Sequence, residues 1–356
     1  MVEYLSGGRI QGSSTLASSP PQTSWKEIGR FKLSSASDTI TVKGLANATS
    51  GTLADKDNIM ILGHTINSGN TNVFFRCNGD NQQKYAENGQ INGGTNYTQD
   101  DQTQLDLSGG AESKPMFIVQ NIVNVPAQEK LIISETNNCA TGSGNAPNRI
   151  ELVGKWESPS NTAIQSVSFN NTSTGDYATD SEIVVLGCDN DEADSGTNFW
   201  QQLASVSTSS SGSELSSGTI TAKKYLMFEA TMVGTNGTPK SQLAFNASSG
   251  GDYSDRYSTN SGAESGTHTD DTSIMLSEQD QLVESVTVGY IINKSDSEKL
   301  VIAHNVNNTG AGEGTVPNKL ESVGKWDKTD QAITSIQLRT HSGTFSSASL
   351  KVWGSD

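Results

Sequence analysis

The sequence predicts an all-β protein: two tandem jelly-roll-like β-sandwich domains preceded by an extended N-terminal arm. Three observations carry this. Residues 148–157, NRIELVGKWE, return as NKLESVGKWD at 318–327, each matched residue 170 positions later. Short apolar runs of Val, Ile, Leu, Phe, Thr and Trp alternate with clusters of Gly, Asn, Asp and Ser, the pattern of strands and turns. No stretch of helical length carries an apolar stripe of 3.6-residue period.

The echo extends through the chain. EKLIISETNN (129–138) matches EKLVIAHNVNN (298–308), and LDLSGG…FIVQNIVN (105–124) matches IMLSEQ…VTVGYIIN (274–293). CNGDNQQKY, ending at Tyr85, matches FNASSGGDY, ending at Tyr253; SEIVVLGCD (181–189) matches ASLKVWGSD (348–356). SWKEIGRFKL (24–33) has a looser counterpart in FWQQLASVST (199–208). Order is kept and the offset drifts only between 167 and 175, so a domain-sized unit is duplicated. The period is too long for a solenoid repeat or propeller blade.

The elements follow in order. Residues 1–24 are rich in Gly and Ser and contain Pro20-Pro21, so they read as an arm that is a poor helix or strand. Residues 25–189 form sandwich one, with strands expected near 25–33, 38–44, 58–65, 72–78, 103–107, 116–124, 129–136, 149–157, 163–169 and 181–187. DTITVKG alternates strictly, with Ile40 and Val42 on one face; NIMILGHTI is continuous, as in a strand buried on both sides. Residues 190–198 read as an acidic linker. Residues 199–356 form sandwich two, with strands near 199–206, 218–222, 224–232, 242–246, 273–277, 284–292, 298–305, 318–326, 333–339 and 348–353. So many short strands at this spacing indicate a sandwich or barrel, and the jelly roll is a common solution.

Of 356 residues 17% are charged and the net charge is −16, spread along the chain. Phosphate neutralisation needs clustered Lys and Arg, so nucleic acid is not an expected partner. Cys77, Cys139 and Cys188 fit no zinc spacing and have no cysteine counterparts in the other copy, which predicts packing residues rather than a disulfide framework. No basic-then-apolar leader is read in residues 1–24, and no run approaches the ~20 apolar residues of a membrane span.

Candidate chemistry is sparse. Asp100-Asp101 and Asp270-Asp271 occupy nearly matched places and are the weak candidates for Ca²⁺, a cation that takes carboxylate and backbone oxygens; otherwise no cofactor is expected. Loop aspartates more commonly make turns. His64, His268, His304 and His341 have no counterparts across the copies, and no nucleophile elbow or phosphate loop is present, so no enzyme is expected. Tyr85, Tyr97, Tyr253 and Tyr257 fall in polar stretches read as loops and are candidates for contacts to a partner, with half-buried packing as the equal alternative. Trp25, Trp156, Trp200 and Trp326 read as the repeated core. Tyr4, Leu5, Arg9 and Ile10 are the residues of the arm that would dock.

YLSGGRIQGSS, SWKEIGRFKLSSASDTITVKG, NGDNQQKY…NGQINGG, INKSDSEKLVI and VGKW together resemble a group of β-rich structural proteins of viruses and phages of marine microbes. Trp25, Asp38–Val42, Asn78–Tyr85, Glu129–Leu131 and Gly154–Trp156 carry the pattern in copy one; Phe245–Tyr253, Glu298–Leu300 and Gly324–Trp326 carry it in copy two, and Cys77 departs from the group's usual Phe. The resemblance implies a virion structural protein, assembled in the host cytoplasm as a capsid decoration, turret, fibre or tail part. It implies a homo-oligomer, with a trimer favoured, and other virion proteins as partners. The alternatives are a double jelly-roll major capsid protein and a tandem carbohydrate-binding or adhesin module for host-surface glycans. A glycoside-active enzyme has the least support.

Overall fold

A computed structural model of the chain describes residues 25–45, 47–158, 162–189, 198–236, 239–278, 284–308, 310 and 312–356, and the backbone of 2–5 and 9–12. The chain divides into two compact units. One comprises residues 24–140 and 148–199; the other comprises 1–23, 141–147 and 200–356.

β1 (Val2–Leu5) and β2 (Arg9–Gly12) pair antiparallel, Val2 with Gly12 and Leu5 with Arg9. This corrects the expected extended arm over those residues. VEYL and RIQG flank Ser6-Gly7-Gly8, a sequence suited to reversing the chain. The remainder of residues 1–24 and the linker 190–197 lie outside the described residues, and so do the side chains of Tyr4, Leu5, Arg9 and Ile10.

The first unit contains β3 (Lys26–Lys32), β4 (Thr39–Val42), β5 (Asn58–Thr65), β6 (Asn67–Ser68), β7 (Phe74–Cys77), β8 (Tyr85–Ile91), β9 (Tyr97–Gln102), β10 (Leu105–Asp106), β11 (Met116–Val123), β12 (Lys130–Asn138), β13 (Asn148–Trp156), β14 (Val167–Asn170), β15 (Asp176–Tyr177) and β16 (Glu182–Cys188). The second contains β17 (Gln201–Thr208), β18 (Glu214–Ser216), β19 (Tyr225–Asn236), β20 (Ser241–Phe245), β21 (Tyr253–Thr259), β22 (Glu264–Asp271), β23 (Ile274–Met275), β24 (Glu284–Ile292), β25 (Lys299–Asn308), β26 (Asn318–Trp326), β27 (Ile336–Thr340) and β28 (Thr344–Ser355).

The first sandwich has an eight-stranded sheet, β3-β16-β5-β11-β12-β13-β8-β9, against a four-stranded sheet, β10-β7-β14-β4. The second repeats both orders strand for strand: β17-β28-β19-β24-β25-β26-β21-β22 and β18-β27-β20-β23. The chain is therefore an all-β protein of two tandem sandwiches, each unequal, whereas a jelly roll divides eight strands between its sheets. Inward residues of both sheets form each core. Ile59, Ile61, Ile118 and Ile132 meet Phe75, Val167 and Phe169 in the first; Phe228, Ile291 and Val301 meet Leu243, Phe245 and Leu338 in the second. Trp156 and Trp326 are fully buried, Trp25 and Trp200 nearly so.

The longest of the strands missed in the sequence are β8, β9, β21 and β22. YAENGQI and YSDRYST alternate polar with small or aromatic residues, and their inward positions hold Glu87 and Asp255 in place of aliphatic side chains. The residues expected as a strand near 218–222 are not one; the pairing strand is β18, which ends two residues before that stretch.

Candidate functional site

Most residues repeated between the copies build the sandwich. Tyr85 Oη receives the N–H of Cys77 at 3.0 Å, and Tyr253 Oη receives that of Phe245 at 2.8 Å. Each tyrosine ring stacks on the GKW tryptophan, at 6.3 Å for Tyr85–Trp156 and 6.2 Å for Tyr253–Trp326. Tyr85, Tyr253 and Tyr257 are buried on strands, and the expectation that they contact a partner is corrected: the rings of Tyr85 and Tyr253 fill the core while their hydroxyls satisfy backbone N–H groups, and Tyr257 packs with Met275 and Leu320. Tyr97 is partly exposed on β9.

The repeated asparagines shape turns. Asn78 and Asn246 sit at φ 54° and 51°, a left-handed conformation that asparagine tolerates. Asn78 Oδ1 accepts from Gln165 N and Ser166 N, and Asn246 Oδ1 accepts from Thr334 N and Ser335 N. Asn92 and Asn260 repeat the device, donating to Asn148 and Asn318. Lys56–Asp189 and Lys223–Asp356 are matched ion pairs at 2.7 and 2.6 Å. Lys130 and Lys299 are buried and donate to turn carbonyls, Val125 and Gln128 in one copy, Ser297 and Lys328 in the other. Burial lowers both amines, that of Lys299 to about 8.

The Asp pairs lie at the ends of strands β9 and β22, just ahead of the short strands β10 and β23, with Asp101 and Asp270 at φ 51° and 52°. Asp270 accepts from Ser143 Oγ, and Asp271 from Thr272 N. Among the described residues no three His, Cys, Asp or Glu side chains gather where they could hold a metal ion. Cys77, Cys139 and Cys188 are buried and unbridged.

A buried acid occupies the matched position of each copy. Glu87 Oε2 accepts from Asp106 N at 2.8 Å, and Asp255 Oδ2 from Met275 N at 2.7 Å. Loss of solvent raises Glu87 to about 7, against the backbone bond from Asp106. Asp255 also meets His268 Nδ1 at 2.9 Å, and this bond raises the imidazole above its ordinary value. In copy one the place of His268 is taken by Gln99, the registered partner of Glu87. No signal in the sequence marks these acids, because a lone Glu or Asp among polar residues looks like any solvated one.

Two surface features remain. An open cleft of about 590 Å³ in the first sandwich is lined by Glu27, Ile28, Thr52, Leu53, Asp55 and Gln165 among others. It is walled by the connection between β4 and β5, which is longer than its counterpart between β18 and β19. On the outer face of β11–β13, Val123, Leu131, Ile133 and Val153 are 46, 56, 57 and 54% exposed. Register places Val123 opposite Leu131 and Ile133 opposite Val153, so the four make one aliphatic strip.

No family model matches the chain, and no curated protein matches it. Among solved structures, the chain is similar to domains LG4-5 of the mouse laminin α1 chain at 8% identity and TM-score 0.17, covering 94% of this chain and 90% of that one. It is similar to the LG1-3 region of the laminin α2 chain at 7% identity and TM-score 0.15, covering 88% and 68%. Human GIVD cytosolic phospholipase A2 matches at 10% identity and TM-score 0.14, covering 85% and 33%. Scores this low carry no argument about fold or function.

Proposed function

We propose that this two-sandwich protein is a non-catalytic building block that works by binding other protein surfaces. The observation that supports this is the exposed aliphatic strip Val123, Leu131, Ile133 and Val153 on an otherwise polar, strongly acidic chain. A contiguous apolar patch costs solubility and marks an interaction surface. Its members are aliphatic, whereas sugar rings pack on aromatic faces. A virion setting, as decoration, turret, fibre, tail part or double jelly-roll capsid subunit, rests on the resemblance of the Trp25, Glu129–Leu131 and Gly154–Trp156 motifs and is proposed on that ground alone.

The second reading is a tandem carbohydrate-binding or adhesin module. It is favoured by the cleft in sandwich one, where Glu27, Asp55, Thr52 and Gln165 offer hydrogen-bonding groups beside Ile28 and Leu53. The test is solution mass by light scattering over a concentration series, beside binding to a glycan panel. Assembly through the strip gives an oligomer that weakens in an Ile133→Ser/Val153→Ser variant, with no glycan retained. A monomer that retains a glycan, and loses it in Glu27→Gln/Asp55→Asn, would replace the first reading with the second.

A further inference from the structure

The chain grips one loop and leaves its duplicate exposed. Residues 142–147 belong to the compact unit that contains the second copy, and that unit holds them along their length. Gly142 N donates to Glu298 Oε1 at 2.5 Å, and Ser143 N to Asp327 Oδ2 at 3.3 Å. Ser143 Oγ donates to Asp270 Oδ1 at 2.6 Å, and Asp270 N returns a bond to Ser143 O at 3.1 Å. Ser254 Oγ donates to Asn145 O at 3.0 Å and Arg256 Nε to Pro147 O at 2.6 Å. Ser143 and Pro147 are buried as a result.

The duplicate of this loop is 312–317, GEGTVP against GSGNAP, with both glycines and the proline in place. It is exposed, Pro317 included, and Val316 stands 82% in solvent. The duplicate of the gripping rim is also present. Glu298, Asp327 and Asp270 are matched in the first sandwich by Glu129, Glu157 and Asp101, all three exposed. One chain therefore displays the unheld loop on its second sandwich and, on its first, an exposed acidic rim whose Glu129 and Glu157 pair with Lys155 and Lys84 of the same sandwich while no loop is seated on it.

We propose that the protein self-associates head to tail, loop 312–317 of one copy docking on the Asp101, Glu129 and Glu157 rim of the next. The proposal rests on the protein-assembly reading above and names the partner as a second copy of this chain. Such a contact joins two different surfaces, so it extends into rows or closes into rings rather than stopping at a symmetric pair. The loop's backbone N–H groups at Gly312 and Glu313 would meet the carboxylates, as those of Gly142 and Ser143 do.

Of the positions that differ, three set the strength. Ser254 is matched by Ala86, Arg256 by the shorter Asn88, and Ser143 by Glu313. The contact loses hydroxyl donors and brings Glu313 toward Asp101 and Glu157. Association is accordingly weak and strengthens as added salt screens like charges.

The experiment mixes two single variants, Ala86→Cys and Thr315→Cys, under mild oxidant; these positions match Ser254 and Asn145, which touch in the gripped loop. The three native thiols are buried. The expected product is the cross-pair in clear excess over either self-pair, and a ladder from a chain carrying both changes. In sedimentation, Glu313→Lys tightens association by about tenfold or more, and adding Glu129→Lys reverses the gain. No excess of the cross-pair, or a mass unmoved by Glu313→Lys, overturns the proposal. The Ile133→Ser/Val153→Ser variant leaves the cross-pair intact, so failure of the aliphatic strip and failure of the head-to-tail contact are separable.

Discussion

Both copies set a tyrosine beside the buried acid, but on exchanged strands. In the first, Tyr97 of β9 lies across Gly89 of β8; in the second, Tyr257 of β21 lies across Gly266 of β22. A Cβ on either glycine would come within 2.3 Å of the tyrosine hydroxyl. Positions 89 and 257 correspond, as do 97 and 266, so glycine and tyrosine have traded places across one strand pair. The ring covers its cross-strand glycine either way, an arrangement that pins register at a sheet edge. The comparison shows that the fold requires a ring and a gap at this point and is indifferent to which strand supplies them.

Other differences are not neutral. Trp156 Nε1 donates to Asp80 at 2.9 Å, while Trp326 Nε1 has no partner among the described residues. Asp255 has both oxygens engaged; Glu87 has one engaged and one without a partner among the described residues. Leu131, Ile133 and Val153 are exposed, whereas their counterparts Leu300, Ile302 and Val323 are buried. The first copy thus exposes the end of this face that the second buries, while the second exposes Val286 and Val306, paired across β24 and β25, at the other end.

The largest expected effect tests the shared core. Trp156→Ala and Trp326→Ala each cost about 3–5 kcal/mol in urea unfolding. A small loss at one site would show that the two GKW tryptophans are not equivalent.

The acids come next and separate the copies by pH. Glu87 is raised, so its contribution is full below pH 4.5 and is lost as pH rises through about 7. Glu87→Gln should match the wild type near pH 4.5 and exceed it above pH 7 by up to about 3 kcal/mol. His268 is also raised, so its contribution is full below pH 6.5 and is lost as pH rises through the raised value. His268→Gln should therefore cost stability at low pH only, by about 1 kcal/mol or less for a partly exposed pair. Chemical denaturation across this range reads both, and a flat Glu87→Gln difference would mean that the buried acid is solvated.

The turn asparagines follow. Asn78→Ala and Asn246→Ala should each cost about 2 kcal/mol, because each removes an amide that accepts from two N–H groups at a left-handed residue. The smallest effect is the most discriminating. Trp156→Phe should cost about 1 kcal/mol more than Trp326→Phe, since only the former gives up a made hydrogen bond. Equal costs would indicate a partner for the Trp326 N–H.

Much of the scaffold was legible because duplication makes a weak signal visible twice. EKL and GKW mark β12, β13, β25 and β26, and β-branched alternation marks β4, β11 and β24. The strand pairs β8–β9 and β21–β22 at one end of each large sheet were not legible, since Glu87, Asp255, Gly89 and Gly266 hold inward or cross-strand positions that pattern reading assigns to aliphatic residues. The site residues suffered most: Tyr85, Tyr253 and Tyr257 lie among polar neighbours, and only packing shows that they point inward.

The sequence by itself determined the all-β class, the two copies and the residues that terminate strands, because those depend on local period, turn chemistry and repetition. Only the tertiary structure decided which polar side chains are buried, which face of each sheet meets water, and that residues 142–147 are held while 312–317 are exposed. These are outcomes of long-range pairing. The same GxGxxP loop can be anchored or exposed, depending on whether carboxylates far away in the chain are brought to its N–H groups.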